Sequence, residues 1–549
     1  MDKSISELVA PEDGLSSGKK GPKQAKWKIM ELFEPTFKTR SSPGPPWIAV
    51  LSLVVLACLL ALERLHTYSE PLERDICTYA VVAHEWLAGR SLYSDLWDHK
   101  PPAIHLTYAG AEAVCGYGPL AVFLLNLLTG ILTLLAVYRA GGKIGGRTSA
   151  FAGAALWTIF SGDLFLQANQ PNTEAFLNAC LAWAFVLWIE KKPENFGWIP
   201  GLKLGFWFIL ASFYKQTALL MMFFLLGAGL LGAKGKEKKT TWAYFGVCLG
   251  MVCLSWAATG LYFFYQGRFA DFYGAVFSYN FFIQGGLVPK WLQGGWNLLW
   301  PASLGFGLPL LGMGLWGFGL GKKDNPGPWN SWLAWACATE VEILFPGNFF
   351  PHYYQLWLPV LAVGGAWGAA QWGNRYFPAA PRTVWASVIL MLLGTAYHEA
   401  PFYRIPARDW SRLKYGDVFL ESERLAGSIQ GFLRPGETFF EWGNETDLYY
   451  NTRRRPPTGV FYIYPLCSGP LKAALSRRVL GQLERENPEL FVYNGSFSGA
   501  LEGNPLLLDW LKAHYGRIPG EAPQGGFLLL KRKDGERIQR PRPMEKGGL

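Results

Sequence analysis

Apolar runs of about 20 residues recur along this chain, and no other feature constrains its fold as strongly. A helix of about that length spans the hydrocarbon core of a bilayer. Hydropathy picks out eleven runs, at 47–63, 118–139, 149–166, 173–189, 198–213, 216–233, 242–265, 296–320, 329–345, 354–372 and 384–398. Half of the 549 residues are hydrophobic and 25 are tryptophan. The reading is a polytopic α-helical membrane protein. The three or four soluble domains that length alone would suggest are excluded for most of the chain.

The formal charge of +10 invites a nucleic-acid partner, but its distribution argues against one. Lysines and arginines cluster in alternate loops: Lys19 to Arg40, Arg139 to Arg147, Lys191 and Lys192, Lys234 to Lys239, Lys322 and Lys323, and Arg375 and Arg382. This is the positive-inside pattern. It places the N-terminus in the cytoplasm of a cell whose plasma (inner) membrane holds the chain. With eleven spans the C-terminus falls outside. The first run begins near Trp47, too far along for a cleaved leader, so it stays as an anchor. Residues 1–46 read as a disordered basic tail. Residues 47–400 carry the spans. From 401 to 533 charges become frequent, and short strand-like runs alternate with helical ones, as in a small extracytoplasmic α/β domain. Strands are expected at Thr438–Trp442, Leu490–Tyr493 and Phe527–Leu530, with helices at 417–432, 471–484 and 505–514. Residues 534–549 read as a flexible tail.

The longest outer loop, 66–117, concentrates polar chemistry. It carries Asp75, Tyr93, Asp95, Asp98 and Lys100, followed by Pro101-Pro102. Apolar residues from Arg74 to Ala88 recur at helical spacing, and Gly89 is a stop signal. A second helix is expected from Ala103 to Val114. Asp75 is either a helix-start charge, favoured by the helix dipole, or a functional carboxylate. Lys100 either snorkels or pairs with a phosphate as a point charge. Lys215 lies in a turn between two apolar runs, where a lysine is costly unless it has a partner. Arg268 opens a fourth outer loop and is a candidate phosphate clamp or a solvated arginine. Glu174 opens a span, and His352-Tyr353 lies at the edge of another, where an aromatic belt is the plain alternative. Asp98, His99 and His352 are conceivable ligands for a divalent ion. Eight cysteines form no CxxC pair, and Cys77 and Cys115 could bond outside. There is no Walker A loop, dinucleotide fingerprint or GxSxG.

Glu73-Arg74-Asp75, the Tyr93-to-Pro102 segment with Lys-Pro-Pro, and eleven spans followed by an outer α/β domain resemble the bacterial GT-C glycosyltransferases. These are the polyprenyl-phosphate-dependent relatives of protein mannosyltransferases and of the lipid A aminoarabinose transferase. The resemblance covers residues 45–530, and further matches are Asn172-Thr173-Glu174, Tyr214 to Thr217, Phe349 to Tyr354 and Glu441 to Asn444. It implies a GT-C fold and a polyprenyl-phosphate sugar donor. It implies that Asp75 activates or orients the acceptor and that Lys100 holds the donor phosphate. Lys215 and Arg268 would add positive charge there. Asp95, Asp98, Glu174, His352 and Tyr353 stand as further substrate or metal contacts. The acceptor would be a lipid, glycan or protein hydroxyl of the envelope, attacked with inversion at the sugar carbon. In some relatives a metal sits near the carboxylate loop. Here His99 stands where the aminoarabinose transferases have an acidic residue, which leaves the cofactor open, a divalent metal among the options. Two other classes fit many spans and buried cations: a flippase for a lipid-linked substrate, and a non-catalytic scaffold. The absence of a repeat between halves speaks against a transporter.

Overall fold

The computed structural model describes residues 46–192, 195–231, 233–284, 291–292, 306–321, 326–377, 381–520 and 523–533. Residues 1–45 of the expected tail 1–46, the expected tail 534–549, residues 285–290 and 293–295 of the loop 266–295, residues 296–305 of the run 296–320, and Lys322 and Lys323 lie outside them.

Twelve labelled helices build the first part: α1 (Pro46–His66), α2 (Arg74–Leu87), α3 (Pro102–Cys115), α4 (Pro119–Phe160), α5 (Thr173–Glu190), α6 (Trp198–Tyr214), α7 (Leu219–Leu230), α8 (Lys236–Tyr265), α9 (Leu308–Gly321), α10 (Pro326–Leu344), α11 (Trp357–Tyr376) and α12 (Pro381–Glu399). A helix overlies every apolar run. The runs 118–139 and 149–166 are two legs of α4, which reverses at Gly146 through a φ of 77° without leaving a loop. Among the described residues, α1, α4, α5 and α8 are long and apolar enough to cross a membrane. Helices α6, α7 and the described α9 are apolar but shorter.

Helix α11 is buried on nearly every side and packs along α4, α9 and α12. Its Gly364 and Gly368, one turn apart, let the neighbours in. A Cβ at Gly368 would overlap the Met313 carbonyl of α9, and one at Gly364 the Trp332 ring of α10. Small residues four apart are what helices need to approach closely where lipid offers no hydrophobic drive between them.

Helices α2 and α3 lie at one end of this bundle, the site end. Asp75 sits in the first turn of α2, where the dipole favours it, and Gly89 just past its end takes a φ of 96°. Pro101 and Pro102 occupy the cap and first position of α3, where a missing N–H costs least.

The chain then folds into α13 (Ala407–Tyr415), α14 (Val418–Phe432), β1 (Phe439–Trp442), α15 (Lys472–Glu486), β2 (Leu490–Asn494), α16 (Pro505–His514), β3 (Tyr515–Arg517) and β4 (Phe527–Arg532). The sheet order is β1-β2-β4-β3. Strand β1 runs parallel to β2, Phe439 opposite Leu490, and the other pairs are antiparallel. This unit sits on the site end. The Arg74 guanidinium lies 3.3 Å from Glu445, Thr78 donates to Thr446 (2.9 Å), and the Trp97 N–H donates to the Gly459 carbonyl (2.9 Å). Lys414 of α13 pairs with buried Glu70. The cysteines are all free, so Cys77 and Cys115 do not bond: Cys77 is buried inside α2.

Candidate active site

A cavity of about 650 Å³ opens between the bundle and the sheet unit. Its floor is Glu73, at the cap of α2, with Arg74, Asp75 and Tyr79 from α2; one wall is Asp98, His99 and Lys100; another is Asn348 and Phe350 to Tyr353 with Gln167; its roof is Asn444, Thr446, Tyr462 and Tyr464.

Asp75 and Lys100 face this one space from separate elements. Neither the Asp75 carboxylate nor the Lys100 ammonium has a hydrogen-bond or ion-pair partner among the described residues. Lys100 is held by its backbone. Buried Tyr93 donates from its hydroxyl to the Lys100 carbonyl (2.9 Å), and packs edge-on to Phe263. Tyr93 does so with a φ of 68°, and Gln167 (55°), which lines the cavity, and Phe349 (51°), next to the lining residues Asn348 and Phe350, share that unfavourable region. Strain of this kind persists where the surroundings impose it, commonly at functional sites.

Next to Asp75, Glu73 is buried and accepts from the Asn172 amide (2.9 Å). Burial first, and the charge of Asp75 second, push its carboxyl up to about 8, so it is protonated at neutral pH. Asp98 goes the opposite way. Burial alone would raise it, but hydrogen bonds and charge from His105 (3.0 Å) and His99 (3.3 Å) hold it well below the usual carboxylate range. Tyr462 also donates to it (2.9 Å). Asp98 is therefore a fixed anion that ties the roof to the wall. Burial lowers the pKa of His352 and keeps its ring neutral at pH 7; its Nδ1 lies 3.3 Å from the Gln167 side-chain oxygen.

The remaining sequence candidates separate. Lys215, at the break between α6 and α7, is not an available cation. Its ammonium lies 2.9 Å from Glu174 and 3.9 Å from the Tyr353 ring centre. Glu174 is thereby its counter-ion, and neither residue is among those that line the cavity. Asp95 is exposed and closes a turn by accepting from the Ser91 N–H (2.9 Å), away from the cavity lining. Arg268 caps a short helix with its guanidinium 5.7 Å from the Phe263 ring, and does not line the cavity. Asp98, His99 and His352 all line the cavity. However, the described residues contain one place where three potential metal-ligand atoms converge, and it is elsewhere. Oδ1 of Asp98 accepts from Tyr462 and from the His99 N–H, and Oδ2 lies 3.0 Å from His105 Nε2. Glu73, Gln167, Asn444 and Tyr462 join the site. Asn444 is buried, with an amide nitrogen lacking a partner among the described residues.

Residues 99–258 match the sequence profile of the dolichyl-phosphate-mannose-protein mannosyltransferase family. No curated protein sequence matches the chain. Among solved structures it is similar to ArnT from Cupriavidus metallidurans bound to undecaprenyl phosphate, at 13% identity over 88% of this chain and 97% of that one, with a TM-score of 0.56. It is also similar to the Archaeoglobus fulgidus oligosaccharyltransferase complexed with zinc and sulfate, at 13% identity over 85% and 71%, TM-score 0.51. A third similar structure is AglB of the same organism with an inhibitory peptide and a dolichol-phosphate, at 13% over 90% and 75%, TM-score 0.50. The chain has the fold of the GT-C glycosyltransferases, a polytopic helical membrane architecture.

Proposed function

We propose that this chain is a membrane glycosyltransferase that moves a sugar from a polyprenyl-phosphate donor to a hydroxyl of an envelope lipid, glycan or protein on the outer side of the membrane. The observation that carries the reading is the cavity in which a carboxylate, Asp75, and an ammonium, Lys100, each without a partner among the described residues, face the same space. A sugar phosphate needs a cation at its leaving group and a base at the incoming hydroxyl. The structures of similar fold that hold undecaprenyl phosphate and dolichol-phosphate support a lipid phosphate as that leaving group. The positive-inside pattern supports an outer site.

In the reaction, the acceptor oxygen forms a bond to the anomeric carbon while the bond from that carbon to the phosphate oxygen breaks. The electron pair leaves with the polyprenyl phosphate, whose charge Lys100 stabilises at the positive end of α3. The acceptor proton passes to Asp75, and the anomeric configuration inverts. Burial keeps the neighbouring Glu73 carboxyl protonated at neutral pH. His352, Asn444 and Tyr462 are placed to hydrogen-bond sugar hydroxyls.

Asp75→Asn keeps shape and removes basicity. Turnover should fall about 10²-fold or more, with donor affinity retained. Lys100→Ala should weaken donor binding and turnover together, and Lys100→Arg should restore only part, because a planar fork replaces a compact charge. Equilibrium binding and transfer rates at matched membrane expression measure both. Near-normal transfer by Asp75→Asn would leave Asp75 a helix-start charge and remove it from the chemistry.

A further inference from the structure

A second cluster of polar groups lies at the site end of the bundle, outside the cavity. Asp163, in the loop after α4, and His398 and Glu399, at the end of α12, each bring one potential ligand atom to within 4.8 Å of the others. They are 235 residues apart in the chain (398 minus 163), so no motif spacing announces them. Asp163 is fully buried and Glu399 nearly so. One oxygen of Asp163 accepts the Leu166 N–H (2.6 Å), and one of Glu399 lies 2.8 Å from His398 Nδ1. The second oxygen of each, Asp163 Oδ2 and Glu399 Oε2, is buried with no hydrogen-bond donor among the described residues. Buried carboxylate oxygens left in that state are costly.

Charge sharpens the argument. A third carboxylate, Glu63 of α1, accepts from Tyr403 beside the cluster and pairs with Arg64 at 3.2 Å. Arg64 spends its other donors on Asn126 (3.1 Å) and the Ser161 carbonyl (2.6 Å). Asp163 and Glu399, both buried, and half-buried Glu63 thus share Arg64 as their nearby arginine. His398 sits between Phe306 and Phe402 and remains 27% exposed on its side chain, which leaves a route from solvent.

We propose that Asp163, His398 and Glu399 bind a divalent transition ion of the zinc type. One imidazole and two carboxylates are the donor set of such ions, which sit about 2.0–2.2 Å from each ligand and leave a position for water. Calcium, which takes about 6–8 oxygens, is disfavoured by the histidine and the low ligand count. The ion would clamp the end of α12, where the chain leaves the bundle for the sheet unit, to the loop 161–172. That loop also carries Gln167, which lines the cavity, and Gln170 and Asn172, which hold Glu73. The site is thus a positioning device, and it stands or falls independently of the transferase reading.

The test uses the full-length protein purified in detergent and stripped with EDTA. Titration with zinc should show one ion per chain by calorimetry and a rise in thermal stability that magnesium does not reproduce. Cobalt should give visible bands that zinc displaces. His398→Ala and Glu399→Gln should each weaken zinc binding at least about 10-fold, while His352→Ala in the cavity should bind zinc as the parent does. If Glu399→Gln does not fold, His398→Ala and the parent titration decide alone. The proposal is overturned if the parent binds no zinc, or if binding survives His398→Ala and is lost with His352→Ala. It is equally overturned if zinc leaves stability unchanged while Glu399→Gln raises it, the result expected of two carboxyls that share a proton.

Discussion

Two carboxylates three residues apart show how environment decides a role. Asp95 is exposed and ties a turn, whereas Asp98 is buried between two histidines and a tyrosine. Their spacing in the sequence cannot distinguish them, because the difference is made by His105 on α3 and by Tyr462, far along the chain. Asp75 and Lys100 were legible because an acid and a lysine against apolar runs need an explanation in either residue's own terms. Glu174 and Lys215 were also visible, but as separate candidates. What joins them is the packing of α5 against the α6–α7 break. Their pairing makes a prediction opposite to that for a phosphate-binding lysine. Lys215→Met strands Glu174 as a buried, unpaired charge and should cost about 3–5 kcal/mol. The double variant Lys215→Met/Glu174→Gln should recover most of it. Thermal unfolding of the three proteins in detergent checks this, and a single variant as stable as the parent would return Lys215 to the list of free cations. Glu73 predicts a pH dependence. In the unfolded chain it ionises near 4.5, and in the folded protein it keeps its proton to about 8. Between those values the native state binds more protons, so its contribution to stability declines as pH rises. Glu73→Gln should flatten the stability profile across that window, as read by denaturation at a series of pH values.

At the scale of elements, periodicity and hydropathy located the helices, and the ends followed from local chemistry: the acid in the first turn and the glycine stop of α2, and the prolines opening α3. The hairpin of α4 was not legible as one element, because a single glycine at φ 77° does the work expected of a loop. Close helix contacts were not legible either. Of the glycines on α9 and α11, the pattern does not say which ones meet a neighbour. Gly368 does, and Gly319 has nothing within 4 Å of an added Cβ. Gly368→Ala should therefore destabilise the protein by about 1–3 kcal/mol through overpacking. Gly319→Ala should be neutral or stabilising by up to about 1 kcal/mol, since alanine is the better helix former. Melting temperatures of the pair test whether the α9–α11 crossing is as close as described, and equal shifts would contradict it.

At the scale of the whole molecule, the sheet unit completes a cavity that the bundle only half encloses. Asn444, Thr446, Tyr462 and Tyr464 form its roof, and the Arg74–Glu445 and Asp98–Tyr462 contacts fasten that roof to α2 and the Lys100 wall. Short strands and charged helices after residue 401 suggested a separate unit; that it lies over Asp75 and Lys100 depends on contacts between residues hundreds of positions apart. The central claim is that this enclosed space transfers a sugar from a lipid phosphate. The most direct measurement supplies a polyprenyl-phosphate sugar, labelled in the sugar, to membrane vesicles that hold the protein in right-side-out or inverted orientation, with envelope acceptors present. The account predicts that right-side-out vesicles move the label to an acceptor, release one unsubstituted polyprenyl phosphate for each sugar moved, and invert the anomeric configuration. It also predicts that Asp75→Asn vesicles bind the donor but barely consume it. Label that crosses the membrane still attached to its lipid, with no polyprenyl phosphate released, would contradict the account and identify a flippase.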